Sequence, residues 1–359
     1  MLTADGCRSR RLALISRLNL STDLVLADPI HLRYFANFYV DPFSLGADYG
    51  AVLVIRPDGH ATVYHDKRLP ETIQQARVDE RVILPWYDGL SAGHGDRRAV
   101  LLPVVQNHGG RVHDSLGDPL AAKIYEAMHD LRREKHADEI DQLKECMRVG
   151  KAGQDWGRAN VTAGMTELDV YNGIFAECSR TIGRPLILYG DFAVSPGSSR
   201  RGGMATRQVL KNGDMLILDF SVVIQGYRSD FTNTLVVGKS PTAEQTRLYE
   251  ACVRAMAAGE AMLRSGQQCQ AVYDAVRGSF AKDNLADQFP HHAGHGLGIG
   301  HPEAPYFVKQ SSETLRENDV VTLEPGVYVD NLGGIRIEHN YRITATGFER
   351  LSQHEITLT

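Results

Sequence analysis

At 359 residues, with 43% hydrophobic and 23% charged residues, the chain has room for about two domains and enough apolar side chains for sizeable cores. Its 39 Lys and Arg against 44 Asp and Glu leave a formal charge of -5, which argues against a generic nucleic-acid or membrane-surface binder. No apolar run approaches the ~20 residues of a membrane span, and the 5 cysteines are scattered without a CxxC, as reduced, buried thiols in a cytoplasm would be.

The start, MLTADGCRSRRLALISRL, has arginines but no continuous apolar stretch behind them, so it reads as an amphipathic helix rather than a signal peptide. Apolar residues recur at helical spacing from Arg8 to Leu18, and Asp23-Leu24-Val25-Leu26 predicts a first buried strand. Tyr49 to Tyr64 predicts a hairpin, AVLVI and ATVY around a Pro57-Asp58-Gly59 turn. Further strands are predicted at Val82-Ile83-Leu84 and Ala99-Val100-Leu101-Leu102. This alternation makes residues 1–127 a small α/β domain. Its histidines His31, His60 and His65 are isolated and read as surface or core residues.

Composition shifts near Asp130, where Leu131 to Lys135 forms a charged joint, and a second domain is expected over 128–359. A long helix is predicted from Asp138 to Ala159. A second runs from Thr166 to Thr181, with Thr166 as its N-cap and Asp169 three residues on. Ser195 to Gly203, SPGSSRRGG, reads as a flexible loop. Its Arg200 and Arg201 either hold a substrate carboxylate or are solvated surface arginines.

The central stretch is Leu216 to Val237, LILDFSVVIQGYRSDFTNTLVV, which predicts two strands joined at Gln225-Gly226. If Ile224 pairs with Tyr227, Asp219 lies opposite Thr232 and Ser221 opposite Asp230. Asp219 and Asp230 then share a face as diagonal neighbours about 7 Å apart. Two carboxylates held that close repel unless a cation or a shared proton lies between them.

Helices follow at Ala243 to Ser265 and Cys269 to Ala281, and then FPHHAGHGLGIGHPEAP from Phe289 to Pro305. Glycines interleaved with histidines let the backbone pass close to something at which imidazoles point. Two more predicted strands, Val320 to Glu324 and Gly334 to Glu338, each present a lone glutamate in an apolar run. A glutamate there is poorly suited to a core unless it is paired or bound to metal.

In order and local context, LDFSVVIQGYRSDFTNT, GHGLG, TLEPGVY and GIRIEHN resemble the metal-binding segments of the pita-bread metallopeptidases, which include Xaa-Pro aminopeptidase and prolidase and have creatinase as a metal-free relative. The resemblance implies an α/β fold: a creatinase/prolidase-like N-terminal α/β domain, then a catalytic domain whose curved antiparallel sheet cups a dinuclear site. It also implies metal ligands Asp219, Asp230, His295, Glu324 and Glu338, with Asp230 and Glu338 bridging two divalent ions per chain. This oxygen-rich set suits manganese first, with zinc, cobalt or iron as alternatives. Glu324 is the implied proton shuttle, and His291 and Arg336 resemble residues that meet substrate or stand beside the site. A homodimer is the family expectation, while the charge and cysteine pattern above point to a cytoplasmic protein that binds no nucleic acid or membrane.

Two departures concern substrate. The histidine that proline-specific relatives carry before the first metal strand falls here at Gly202. The one they carry seven residues after the metal-binding histidine falls at Pro302, with His301 one residue early. Arg200, Arg201 and His301 are candidate replacements. The expected function is therefore an Xaa-Pro aminopeptidase or dipeptidase-like metallohydrolase acting on small peptides. The alternative is a metal enzyme of this fold acting on a small non-peptide molecule, as ectoine hydrolases do. A non-catalytic binding module is disfavoured by the intact ligand set.

Overall fold

The computed structural model describes residues 1–40, 50–66, 70–93 and 95–359. Tyr49, at the head of the predicted hairpin, lies outside the described residues. The chain divides into two compact units, Met1–Arg132 with His136–Glu139, and Arg133–Lys135 with Ile140–Thr359.

In the first unit α1 (Ala4–Leu18) is capped by Thr3, whose side chain accepts from the Gly6 amide. Four strands follow, β1 (Leu24–Leu26), β2 (Ala51–Ile55), β3 (Ala61–His65) and β4 (Glu80–Ile83), with α2 (Pro29–Ala36) and α3 (Pro70–Gln75) between them. They form one sheet in the order β1-β2-β3-β4, antiparallel except for β3 with β4. Ala99 to Leu102 is not the predicted strand. It is a 3-10 turn, Arg97–Leu101, running into α4 (Leu102–Asn107). Asp96 caps the turn by accepting from the Arg98 amide, and Pro103 sits where a first helical turn has no use for an N–H. Leu101 and Val104, three apart, then pack with Val25, Val52 and Val54. Local capping therefore overrides the β-propensity of an apolar run. The unit ends with α5 (Ala121–Leu131).

The second unit takes up α6 (Ala137–Asn160) from Ile140 on, followed by α7 (Glu167–Ile182). Thr166 and Asp169 close the α7 capping box that the sequence predicts. Strands β5 (Ile187–Val194), β6 (Met215–Ile224), β7 (Tyr227–Arg228) and β8 (Phe231–Val236) form an antiparallel sheet centred on β6. The β6–β7 turn has positive φ at both Gln225 (51°) and Gly226 (88°), the signature of a type I′ hairpin. β5 is not foreseen by the sequence, because Gly190-Asp191 interrupts its apolar pattern.

Then come α8 (Ala243–Glu260) and α9 (Cys269–Lys282), followed by β9 (Gly294–Gly296), β10 (Glu303–Phe307), β11 (Val320–Leu323), β12 (Gly326–Val329), β13 (Gly333–Arg336), β14 (His339–Ile343) and β15 (Phe348–Arg350). A second sheet runs β10-β9-β11-β14-β15, and β12 pairs with β13. Leu248, Val272 and Phe280 of the helices bury against Val321, Leu323, Ile335 and Tyr341 of the strands. Helices thus back the sheets, and acids and imidazoles carried by the strands and their connections meet in one cavity. No helix among the described residues is long and apolar enough to cross a membrane.

Candidate metal centre

Asp219 sits in mid β6 opposite Thr232, the register the hairpin pattern predicts. The ladder is interrupted between β7 and β8. There the Val222 amide donates to Ser229 Oγ (3.0 Å) instead of to a backbone carbonyl. Asp230 occupies the gap. Its amide donates to Asn340 Oδ1 (3.2 Å), and Asn340 Nδ2 donates back to the Asp230 carbonyl. A side-chain amide so replaces the missing strand partner and fixes the backbone that aims the carboxylate.

His295 lies in β9, its Nδ1 2.9 Å from the Gly296 carbonyl, which leaves Nε2 facing the cavity. Thr322 Oγ1 accepts from the His295 amide (3.2 Å) and lies 3.2 Å from Glu324 Oε1, tying those two residues together. Glu338 joins β13 to β14. Its amide donates to the Thr232 carbonyl (3.1 Å), and Thr232 Oγ1 donates to Glu338 Oε2 (2.7 Å).

The structure brings all five residues to one cavity of about 630 Å³. Donor atoms of Asp219, Asp230 and Glu338 lie within 4.8 Å of one another, as do those of Asp230, His295 and His301. Asp230 belongs to both groups. His295 Nε2 is 3.5 Å from Asp230 Oδ2 and 3.5 Å from Glu324 Oε1. Such spacings are about what donors bonded at ~2.0–2.2 Å to one ion leave between them.

Electrostatics point the same way. Burial pushes the Asp219 carboxyl up to about 7, with Arg336 opposing and Asp230 adding to the rise. Burial, followed by the charges of Asp230, Glu324 and Asp219, raises Glu338 well above the carboxylate range. Glu338 Oε1 is buried without a hydrogen-bond partner. For Glu324 burial alone would raise the carboxyl, but the bond and charge of His292 prevail and hold it below its usual range. Crowded acids and an orphaned carboxylate oxygen are relieved by a shared proton or by a bound cation. The donors are carboxylates and imidazole without thiolate, so they fit a hard or borderline divalent ion.

The opposite wall is built around Arg336. Its guanidinium lies 2.5 Å from Asp191 Oδ2 and from Asp219 Oδ2, and donates to Tyr328 Oη (2.7 Å) and the Arg201 carbonyl (3.0 Å). Tyr328 Oη is in turn 3.3 Å from His291 Nε2, and His291 Nδ1 is 2.7 Å from the His292 carbonyl. Burial pushes His291 down to about 4, so it stands as a neutral imidazole on the cavity wall. His292 Nδ1 lies 3.3 Å from Glu324 Oε1. His301 Nε2 is 2.7 Å from Asp230 Oδ2.

Arg201 also lines this cavity, whereas Arg200 does not. As a substrate ligand Arg200 is corrected by the structure. It pairs with the fully buried Glu167 (2.8 Å) and Gln208 Oε1 (2.9 Å), turning the predicted flexible loop into a tethered one. Glu167 needs that cation because it is buried among backbone donors. Asp191, Tyr328 and Asn340 escaped the sequence reading. A lone acid in the apolar run ILYGDFAV is the same signal that marks Glu324, and would have found Asp191.

Fold and site together define a two-unit metallohydrolase of the pita-bread class. Residues 141–345 match metallopeptidase family M24, and the chain belongs to that family. The protein YkvY of Bacillus subtilis is 32% identical over 64% of this chain, and the match spans 63% of that relative's own length. The Xaa-Pro dipeptidase of Pyrococcus furiosus is 28% identical over 65% of this chain and 67% of its own. Among solved structures, the Xaa-Pro dipeptidase from Bacillus anthracis superposes with a TM-score of 0.79 at 22% identity, covering 99% of each chain. At that identity the likeness speaks for the fold.

Proposed function

We propose that the chain is a dinuclear metal-dependent peptidase that removes an amino-terminal residue preceding proline from very short peptides, Xaa-Pro dipeptides above all. The observation that carries this reading is the Asp230 carboxylate, shared by two donor groups beside the orphaned Glu338 oxygen. Asp219, Asp230 and Glu338 on one side, and Asp230, Glu338, His295 and Glu324 on the other, would hold two divalent ions, manganese first, that supply a water acidic enough to attack near neutral pH.

The chain's own residues do the rest. Glu324, ionised and backed by Thr322, is placed to accept the water's proton and return it to the leaving nitrogen. His291, neutral and fixed by Tyr328, faces the bound substrate. Arg336 holds Asp219 in place through an ion pair. A cytoplasmic homodimer belongs to the same reading by family likeness.

One observation favours a second reading, a small non-peptide substrate. At Gly202 a Cβ would collide with the Asp191 carboxylate, so this wall has no room for the histidine of the proline-directed relatives. Mass spectrometry of one panel separates the two readings: Xaa-Pro peptides, non-proline peptides, and small zwitterionic amides offered to the manganese-loaded protein. Turnover of the amides alone would replace the peptidase reading with the second. Glu324→Gln should lose far more turnover than metal, and His291→Ala should keep both ions while turnover falls by roughly 10²–10⁴-fold.

A further inference from the structure

We propose that His301 is a sixth protein ligand of the metal centre, joining Asp230 and His295 at one subsite; this rests on the metal-centre reading above. His301 Nε2 is 2.7 Å from Asp230 Oδ2, the same oxygen that lies 3.5 Å from His295 Nε2. The two imidazoles meet edge to face, 5.1 Å between centroids, and aim their nitrogens at that one oxygen. The three donors fall within 4.8 Å of one another. An ion bonded at about 2.0–2.1 Å spans donors up to ~4 Å apart, so a small rotation of the imidazoles closes the set.

The loop that delivers His301 is built to stay there. Glu303, 5% exposed, accepts from the Gly300 amide (3.0 Å) through Oε2 and from Lys135 Nζ (2.7 Å) through Oε1. Lys135 is buried too. A buried ion pair bonded to the amide of Gly300, the residue before His301, leaves His301 little freedom to swing away. The rival geometry is an imidazole that only donates to Asp230 and never touches the ion.

A second imidazole changes what the subsite prefers. Imidazole nitrogen suits cobalt and zinc, whereas carboxylate and water suit manganese, and affinity rises from manganese through cobalt in the general order of divalent ions. His301 should therefore favour cobalt or zinc over manganese relative to a chain that lacks it.

The test uses the full chain, stripped of metal and titrated with cobalt(II), then with manganese(II). Calorimetry and the cobalt visible spectrum are the readouts, with X-ray absorption at one equivalent of cobalt to count imidazoles. The expected result for His301→Ala is one cobalt site weakened by roughly 10-fold or more, a changed visible spectrum, one imidazole per ion instead of two, and a smaller loss for manganese. His301→Asn with unchanged circular dichroism guards against misfolding. Unchanged cobalt affinity and spectrum in both variants would overturn the proposal and leave His301 as a donor to Asp230. If the parent chain binds no stoichiometric cobalt, the metal-centre reading itself has failed and the proposal falls with it.

Discussion

Asp191 on β5 and Asp219 on β6 stand directly opposite each other, and Arg336 Nη2 lies 2.5 Å from a carboxylate oxygen of each. The cavity therefore neutralises its acids by two means. A fixed guanidinium serves Asp191 and Asp219, and on the metal-centre reading the remaining carboxylates would face the divalent ions. Asp219 belongs to both, which makes Arg336 the residue that sets its orientation before any ion arrives.

Arg336→Met should destabilise the metal-stripped protein by about 3 kcal/mol, the lower part of the range for breaking a buried ion pair, because Asp191 keeps some solvent contact. Denaturant unfolding with a chelator present measures this. Reconstitution with manganese should recover part of the loss, since an ion on Asp219 replaces the missing charge. A metal-stripped variant as stable as its parent would show that Asp191 and Asp219 do not need the guanidinium.

Gly202 gives a second test of the same wall. A side chain there meets the Asp191 carboxylate, so Gly202→His should not create or improve Xaa-Pro cleavage. Gly202→Ala should lower kcat/KM with the fold intact, and adding Asp191→Ala should restore space and with it part of the loss. Steady-state kinetics of the three variants decide this, and additive losses in the double variant would mean that the two residues are not in contact.

How much of this was legible in the sequence depends on whether the signal was local. The Asp219–Thr232 register follows from a two-residue turn and a period of two, and the structure has it. The four acids show as carboxylates within strand-forming runs, and His295 as an imidazole among glycines. Asp191 sits in an equally apolar run, but Gly190 beside it disguises the strand. Asn340 and Tyr328 act across elements far apart in the chain, and no local pattern announces such partners. Arg200 lies in a Ser/Gly-rich stretch that reads as a free loop, whereas its partner Glu167 is a buried acid 33 residues away. The Ala99–Leu102 strand failed because Asp96 and Pro103 start a helical turn there.

Thr232→Val removes a hydroxyl and little else from β8. Glu338 Oε2 then loses its donor while Oε1 already has none, so the carboxylate is free to rotate. Metal affinity should fall by roughly 10–100-fold with the melting temperature of the metal-free chain barely changed. Competition against a chromogenic chelator reads the affinity directly. A valine variant that holds metal as tightly as the parent would reduce Thr232 to a strand residue.

His354 is buried behind this floor, stacked on Phe231 at 4.4 Å, with its ring 4.7 Å from that of His339 and its Nε2 3.2 Å from the Thr232 carbonyl. Burial, opposed by the bond to Thr232, pushes it down to about 4. Between the unfolded value of about 6.5 and the folded value of about 4, the unfolded chain binds a proton that the native one does not, so stability is lost as pH falls through that window. The full effect is up to about 3 kcal/mol at 1.36 kcal/mol per unit. Asp219, raised to about 7, works the other way in the metal-free chain, losing stability as pH rises. Comparing His354→Gln with the parent cancels that contribution and isolates the histidine. The glutamine variant can still donate to Thr232, and its unfolding free energy should fall less steeply than the parent's between pH 6.5 and pH 4. Parallel curves for the two proteins would mean that His354 takes up its proton without unfolding the floor of the site.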